Sequence, residues 1–319
     1  MREPGAFVVS LDFELYWGMR DVVTLEAYRA NLEGSPAAIR RMLDLFEQRE
    51  IHATWACVGL LFAKDAEEAR RFAPRVRPSY RARELSPFEA LERGQVDRDP
   101  QVYFASALID AIKQRPHQEI GTHTFSHYYC NEAGQTAEQF DADLAAAVAI
   151  AKQSGVQLRS LVFPRNQSNP DYLPILARHG ITSYRGLTAN WAFERSDSRL
   201  GTIVRRGARL ADNYAPLCPV APTPADRLQG TPVNIPGSRF LRPYDPRLRH
   251  LDPLRLHRMQ REMTHAAEAG HIYHLWWHPH NFGVHTSDNL RILDQLLAHA
   301  NLLRQRFGFR SANMGELAA

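Results

Sequence analysis

The feature that most constrains the fold is a repeated alternation of short apolar runs with amphipathic segments. Six apolar runs have the length and composition of buried strands. Strand followed by helix, repeated in this way, is typical of a mostly parallel sheet that is either open or closed as a barrel. The predicted strands are 6–15, 51–58, 118–124, 158–164, 181–186 and 270–278. The predicted helices are 36–49, 137–153, 171–179, 253–269 and 288–306.

Two of the helix starts carry specific signals. Ser35 followed by Pro36 is typical of a capping residue and a first helical position, which predicts a helix that begins at residue 36. Thr136 precedes a segment whose apolar residues, among them Phe140 and Leu144, are spaced three or four apart. That spacing predicts an amphipathic helix with one apolar stripe.

Two stretches interrupt the alternation. Residues 64–100 are rich in arginine and residues 195–250 are rich in proline, and neither has a sustained apolar period. We interpret both as insertions or long loops on one domain that spans residues 1–319. No G-x-G-x-x-G motif follows a predicted strand, which argues against a dinucleotide-binding sheet.

Composition restricts the possible partners and locations. The net charge of +4 is mild and comes from scattered arginines, so it gives no ground for a nucleic-acid partner. The 3 cysteines are far apart in the chain, so neither a disulfide framework nor a cysteine zinc site is predicted. We expect no transmembrane segment, because no apolar run approaches about 20 residues. We also expect no signal peptide, and therefore a cytoplasmic location.

Two predicted strands end in residues that suit a metal ion. Asp12 and Glu14 in "SLDFEL" are two positions apart and share one face of a strand. Buried charges are costly unless they are paired or bound to a cation. His123 and His127 in "EIGTHTFSH" follow another strand, and two imidazoles with one carboxylate are a familiar ligand set for Zn²⁺ and related ions. Taken singly, each pattern is also compatible with solvated acids or ordinary histidines.

Two further strand ends carry polar residues. "LVFPRNQSN" ends in Arg165 and Asn166, and "HIYHLWWHPHNFG" ends in His278 and His280. In α/β barrels the functional groups gather at the C-terminal ends of the strands. The four strand ends together therefore predict one site.

The segments "SLDFEL", "EIGTHTFSH", "FPRN" and "LWWHPHN", in this order, resemble the polysaccharide deacetylases of the NodB-homology type. The resemblance covers roughly residues 6–315. It implies an α/β fold, a distorted (β/α) barrel of about seven strands. It also implies a metal-dependent hydrolase that removes N-acetyl groups from amino sugars.

The resemblance assigns roles to individual residues. It implies that Asp12 is the catalytic base, that Glu14, His123 and His127 bind the metal, and that His278 is the general acid. The implied cofactor is one divalent ion, Zn²⁺ first, with Co²⁺, Ni²⁺, Fe²⁺ or Mn²⁺ as alternatives.

The sequence departs from the family pattern at three points. The family usually has two adjacent aspartates where this chain has Asp12 and Glu14 separated by Phe13. The family arginine usually precedes a proline, whereas Arg165 follows one, so a catalytic contact between Arg165 and Asp12 is an inference. The segment "YRGLTANW" contains Arg185 and Trp191 but lacks the aspartate that usually tunes the acid histidine.

Aromatic residues beside the motifs suit a sugar ring, because its C–H faces can stack on them. Core packing is the alternative explanation for each of them. Backbone donors near Asn166 are candidates for holding an oxyanion. His280 is the alternative to His278 as the general acid and is also a candidate for contact with the substrate; His278 is favoured as the acid because it directly ends the strand. The predicted substrate-contacting residues are Trp17, Tyr128, Asn166, Trp276 and His280.

The resemblance implies an amino-sugar substrate from polysaccharide biosynthesis, either soluble, nucleotide-linked or lipid-linked. Arginines between 199 and 258 are candidates for binding the phosphates of such a substrate. Two alternatives stay open. One is a related C–N hydrolase, either a deformylase or an allantoinase-like cyclic amidohydrolase. The other is a barrel that binds sugar without cleaving it.

Overall fold

A computed structural model describes residues 4–186, 211–212, 214, 223–225 and 228–319. Its strands coincide with the six predicted apolar runs and add several short ones. They are β1 (Ala6–Phe13), β2 (Ala53–Cys57), β3 (Gln118–Thr122), β4 (Ser160–Val162), β5 (Ser183–Arg185), β6 (Thr223–Pro224), β7 (Val233–Asn234), β8 (Arg239–Phe240), β9 (His271–Trp277) and β10 (Arg310–Ala312).

The α-helices of the described residues lie mainly between these strands. They are α1 (Leu25–Arg49), α2 (Ala66–Phe72), α3 (Phe88–Glu92), α4 (Ser106–Lys113), α5 (Ala137–Gln153), α6 (Leu173–Arg178), α7 (Asp252–Ala269), α8 (Thr286–Phe307) and α9 (Met314–Leu317). None of the described helices is long and apolar enough to cross a membrane.

The sheet is parallel along most of its order, β6-β9-β1-β2-β3-β4-β5-β7, with β6 antiparallel to β9. Strand β1 lies between β9 and β2, and all eight of its residues are buried. A central parallel strand is covered on both faces, which explains its nearly continuous apolar sequence. Asp12 is therefore held in the middle of the sheet.

Residues 233–241 connect the two outer strands of the parallel part of the sheet. Within this segment, β7 pairs with β5 and β8 pairs with β9. The amide of Ile235 donates to the Tyr184 carbonyl beside β5, and the amide of Leu241 donates to the Trp276 carbonyl of β9. The parallel strands thus form the wall of a distorted barrel, which confirms the predicted fold class.

The interpretation of 195–250 as a loop is wrong for residues 233–241, because these residues belong to the barrel wall. Strands of only two residues, β7 and β8, give no apolar period that sequence reasoning could detect. Much of the remaining stretch lies outside the described residues, as does Trp191. The stretch 64–100 also contains the helices α2 and α3, with Phe88 and Leu91 buried in the core.

The predicted start of the first helix at Pro36 is wrong. Helix α1 begins at Leu25 after the cap Thr24, and Pro36 lies inside it. The hydroxyl of Ser35 donates to the Asn31 carbonyl at 2.7 Å within the continuous helix. A Cβ on Gly34 would overlap the carbonyl group of Gly283, so this part of α1 packs directly on the loop after β9. Tertiary packing therefore outweighs the local effect of proline.

The predicted start of α5 is correct. Thr136 and Gln139 form a capping box, in which each side chain accepts a hydrogen bond from the other residue's backbone amide. The apolar stripe of this helix, including Phe140 and Leu144, is buried in the core.

Candidate active site

The predicted chemical groups meet at the C-terminal ends of the barrel strands. Asp12 lies in β1 and Glu14 follows it, His123 and His127 follow β3, and His278 follows β9. The side chains of the two acids and of His123 and His127 are 4% exposed or less, whereas that of His278 is 25% exposed. His278 therefore faces the open side of the site and the other four lie beneath it.

Glu14, His123 and His127 form a compact three-ligand group. The Glu14 Oε2 atom lies 3.0 Å from His127 Nε2 and 3.3 Å from His123 Nε2. One ligand atom from each residue lies within 4.8 Å of the other two. Burial opposes ionisation of Glu14, but the neighbouring histidines outweigh it and hold the pKa of its carboxyl group well below the usual range. The carboxylate is thus available as an anionic ligand.

The surroundings of His123 prepare it to bind a metal ion. Its Nδ1 lies 2.7 Å from the Val162 carbonyl oxygen, which can only accept a hydrogen bond, so Nδ1 is the donor and Nε2 is the ring nitrogen that faces Glu14. This Nε2 is buried and has no hydrogen-bond partner among the described residues. A buried orphaned nitrogen next to a carboxylate and a second imidazole fits a divalent transition ion.

A buried carboxylate that sequence reasoning missed holds the loop between the two histidines. Asp143 of α5 accepts hydrogen bonds from the amide of Phe125 at 2.7 Å, the amide of Ser126 at 3.3 Å and the hydroxyl of Ser126. Burial raises the pKa of Asp143 to about 6, against the effect of these bonds. The sequence contains one indication of this role, which is that Asp143 interrupts a helical segment of apolar and alanine residues.

Unfavourable backbone conformations cluster around the site. Leu15, Thr124, His127, Arg165 and Asn166 all have φ between 47° and 64°. Non-glycine residues rarely adopt this region, and they do so most often where function requires the geometry. These five residues lie directly after β1, β3 and β4.

Asp12 is paired with Arg185 of β5. The guanidinium donates from Nη1 and Nη2 to the two carboxylate oxygens, each at 2.7 Å, and both side chains are buried. Burial opposes ionisation of Asp12, but Arg185, His123 and His278 outweigh it and lower its pKa. The prediction that Arg165 contacts Asp12 is therefore wrong. The strand register explains why Arg185 is the partner of Asp12. It places Arg185 at the end of β5, from which the side chain reaches across the barrel interior to β1.

Arg185 is fixed on several sides. Its guanidinium also donates to Ser10 Oγ at 2.9 Å and to Asn166 Oδ1 at 3.0 Å, and it lies 4.2 Å from the ring centre of Trp276. The Nε2 atom of His274 lies 2.7 Å from the same Ser10 hydroxyl. Burial lowers the pKa of His274 to about 3, so this histidine is neutral and can accept the hydroxyl proton.

Arg165 lies at the mouth of the site instead. It forms an ion pair with Asp21, and its side chain is 35% exposed. Its guanidinium carbon lies 4.7 Å from the ring centre of Tyr129, and that ring meets the His127 ring edge-on at 5.1 Å.

The two histidines after β9 differ in their environment. His278 Nε2 lies 3.7 Å from Asp12 Oδ2 and 3.6 Å from Glu14 Oε1. His280 is fully buried behind Glu14, with its Nε2 4.0 Å from Oε1 of that residue. Burial lowers the pKa of His280 to about 3. The prediction that His280 contacts the substrate is wrong, because its ring has no access to the open side.

The predicted aromatic platforms are core residues. Trp17 is fully buried and donates from Nε1 to the Tyr103 carbonyl at 2.7 Å. Tyr128 is fully buried and donates to Gln135 and to the Thr136 carbonyl. Trp276 is 9% exposed and packs on Phe240 as well as Arg185. The prediction that a sugar stacks on Trp17 or Tyr128 is therefore wrong. Trp276 exposes little of its ring for such a contact. Asn166 is half-buried and orients Arg185.

A second histidine group at the opposite end of the barrel is less suited to a metal. His52, His117 and Glu316 lie close together, but the two rings are stacked 4.0 Å apart at an angle of 6°. Ligand lone pairs lie in the ring plane, so two parallel stacked rings cannot direct them at one ion.

A family model described as polysaccharide deacetylase matches residues 32–184. Over these residues, the chain is therefore similar to the polysaccharide deacetylase family. The matched residues include His123 and His127 but not Asp12, Glu14 or His278, which join the site through β1 and β9. No curated protein matches the sequence significantly.

Solved structures share the fold of this chain. A candidate polysaccharide deacetylase from Mycobacterium smegmatis is 14% identical, with a TM-score of 0.60 over 100% of this chain and 90% of that one. Another, from Pseudomonas aeruginosa PAO1, is 13% identical, with a TM-score of 0.50 over 98% and 88%. A GH57-type branching enzyme from Pyrococcus horikoshii is 10% identical, with a TM-score of 0.55 over 97% and 69%. The fold is thus shared by different chemistries, so the reaction has to be argued from the residues.

Proposed function

We propose that this protein is a metal-dependent hydrolase that removes an N-acetyl group from an amino sugar. The observation that supports the proposal is that one site contains two separate groups of charged side chains, one suited to bind a metal ion and one suited to accept a proton. Glu14, His123 and His127 form a three-ligand group, while Asp12 is held apart from it by Arg185. A barrel that only binds sugar has no need of both sets.

The three-ligand group would hold a divalent ion, with Zn²⁺ as the first candidate for a set of two imidazoles and one carboxylate. Such an ion, when bound, lowers the pKa of a water molecule and polarises an amide carbonyl. The side chains supply one carboxylate and two imidazoles. Burial lowers the pKa of His127, against the effect of Glu14, and this favours the neutral ring that a metal ion requires.

Asp12 is suited to accept a proton from water. The bidentate contact with Arg185 keeps the carboxylate ionised and fixes the direction of its oxygens. A base must lie in a fixed position to contribute to the rate, and the contacts of Arg185 with Ser10 and Trp276 restrict its movement.

His278 is suited to donate a proton to the leaving amine. It is the more exposed of the two histidines after β9, and its Nε2 lies within 3.7 Å of both carboxylates. An amine leaves poorly as an anion, so a proton donor on the open side of the site accelerates cleavage of the C–N bond. The ring packs against Phe240 and Trp276, which hold it in place.

The experiment that tests this proposal measures acetate release from N-acetyl amino sugars and their oligomers by the metal-loaded protein. Asp12→Asn is isosteric and is expected to bind metal normally while losing turnover. Formylated sugars and cyclic amides, assayed beside the acetyl sugars, test the related C–N hydrolases. A wild-type protein that binds acetyl sugars but cleaves none of these compounds would support a sugar-binding role and contradict the proposal.

A further inference from the structure

Arg165 is a positively charged group at the mouth of the site for which the proposed reaction has no use. Its backbone is held in the left-handed region, as is that of Asn166, with φ of 53° at both. Two successive non-glycine residues in this conformation are costly, and such a cost is usually tolerated where a side chain must point in a particular direction. The contacts of Arg165 with Asp21 and Tyr129 define that direction.

These contacts make the guanidinium a fixed group. The Asp21 side chain is 5% exposed and accepts a further hydrogen bond from the Tyr129 hydroxyl at 3.3 Å. The amide of Tyr129 donates to the hydroxyl of Tyr80 at 2.9 Å, so the ring beneath the guanidinium is itself anchored. Within the described part of the chain, Asp21 is the hydrogen-bond acceptor of Arg165. The other N–H groups on its exposed edge are open to a ligand.

Asp21 is shared by two arginines. Arg20 also acts on Asp21, and its own guanidinium donates to the carbonyls of Glu84 and Leu85 rather than to an acid. The charge of Asp12 is already paired with that of Arg185. The carboxylate of Asp21 therefore only partly offsets the positive charge of Arg165.

We infer that Arg165 binds an oxyanion substituent of the amino-sugar substrate, either a phosphate or a carboxylate. A planar guanidinium with unused N–H groups matches both anions, because each presents two oxygens that can accept parallel hydrogen bonds. The ring of Tyr129 contacts both the guanidinium and the His127 ring. The anion is therefore bound one aromatic ring away from the metal-binding group, and the N-acetyl group of the same sugar can reach the reacting centre. This inference rests on the proposed deacetylation.

The test compares three probes, N-acetylglucosamine, N-acetylglucosamine 1-phosphate and N-acetylglucosaminuronic acid. Acetate release is measured for the wild type, Arg165→Gln, Arg165→Lys and the control Arg178→Gln. Arg178 is an exposed arginine that pairs with Asp141 on another face. We expect a kcat/KM at least tenfold higher for one or both anionic sugars than for the neutral sugar, mainly through KM. Arg165→Gln abolishes that ratio, Arg165→Lys keeps part of it, and Arg178→Gln keeps all of it. The phosphate and carboxylate probes distinguish the two anions.

Binding of the same probes, measured by calorimetry, separates failure of this inference from failure of the proposed reaction. If the wild type cleaves none of the sugars, the proposed reaction fails, and the affinity ratio between anionic and neutral sugars decides the inference. We expect the affinity of the wild type to be at least tenfold higher for the anionic sugars than for the neutral sugar, and this ratio to be near one in Arg165→Gln. Equal behaviour of the neutral and anionic sugars in the wild type, or an unchanged ratio in Arg165→Gln, overturns the inference.

Discussion

A methyl group added at Gly18 should weaken metal binding without unfolding the protein. Gly18 follows Glu14 by one short turn, and an ideal Cβ at this position lies well inside 3.0 Å of Cδ, Oε1 and Oε2 of Glu14. Real Cβ atoms essentially never come that close, so the carboxylate has to move. Gly18 has no positive φ, and alanine is therefore compatible with its backbone.

The size of the effect follows from the geometry. Restoring an ordinary contact requires a shift of the carboxylate of about 1 Å or more, whereas a metal–ligand distance tolerates about 0.2 Å. The group that moves is the end of a flexible side chain, so folding stability should change little. Loss of a residue that supports a ligand typically weakens metal binding about 10–100-fold, or about 1.4–2.8 kcal/mol, and we expect at least this effect when the ligand itself is displaced.

The assay is competition for Zn²⁺ between the protein and a coloured chelator, with chemical denaturation measured on the metal-free proteins. Gly155→Ala is the control, since its Cβ meets nothing within 4 Å but its φ is +71°. This control should lose about 1 kcal/mol of stability through backbone strain and keep its metal affinity. Wild-type affinity in Gly18→Ala would refute the assignment of Glu14 as a ligand.

Three further predictions concern the residues around the metal group. Arg185→Met should cost about 3–5 kcal/mol in the free energy of unfolding, because it leaves Asp12 buried without a partner; denaturant titration checks this, and the double variant with Asp12→Asn should recover most of the loss. His278→Asn should lower kcat about 10²–10⁴-fold with metal content unchanged, so a loss of metal in this variant would argue for a ligand role instead. Asp143 has a pKa raised to about 6 in the folded protein against the ordinary 3.8 of an aspartate, so the folded state holds the proton more tightly and stability falls as pH rises between these values. Relative to Asp143→Asn, the wild type should lose about 2 kcal/mol of stability between pH 4 and pH 6 and little above pH 7, and a parallel dependence in both proteins would contradict the pKa assignment.

The parts of the fold that could be predicted are those in which local pattern and burial agree. Strand β1 is apolar because it is covered on both faces, and α5 begins with a capping box that the sequence displays. Helix α1 was misjudged because Pro36 signals a start locally, while packing against Gly283 keeps the helix continuous. The segment 233–241 could not be predicted, because its two-residue strands are defined by their pairing with β5 and β9 and have no apolar pattern of their own.

The site was predictable where residues reach it from strand ends, and not where they reach it across the barrel. The partner of Asp12 is set by the register of β5 beside β4, which no local motif encodes, so Arg185 could not be chosen over Arg165. A position next to a motif does not determine whether an aromatic side chain is buried or exposed, and Trp17 and Tyr128 are both in the core. Asp143 comes from a helix 16 residues after His127, and only the tertiary structure connects them.

The most direct test of the central claim is the metal content of the purified protein, measured by mass spectrometry after reconstitution with Zn²⁺. About one ion per chain in the wild type and in His52→Ala, with loss of that ion in Glu14→Ala and His123→Ala, is the predicted result. A wild type that takes up no metal would contradict the account. So would an ion that leaves with His52 but persists without His123.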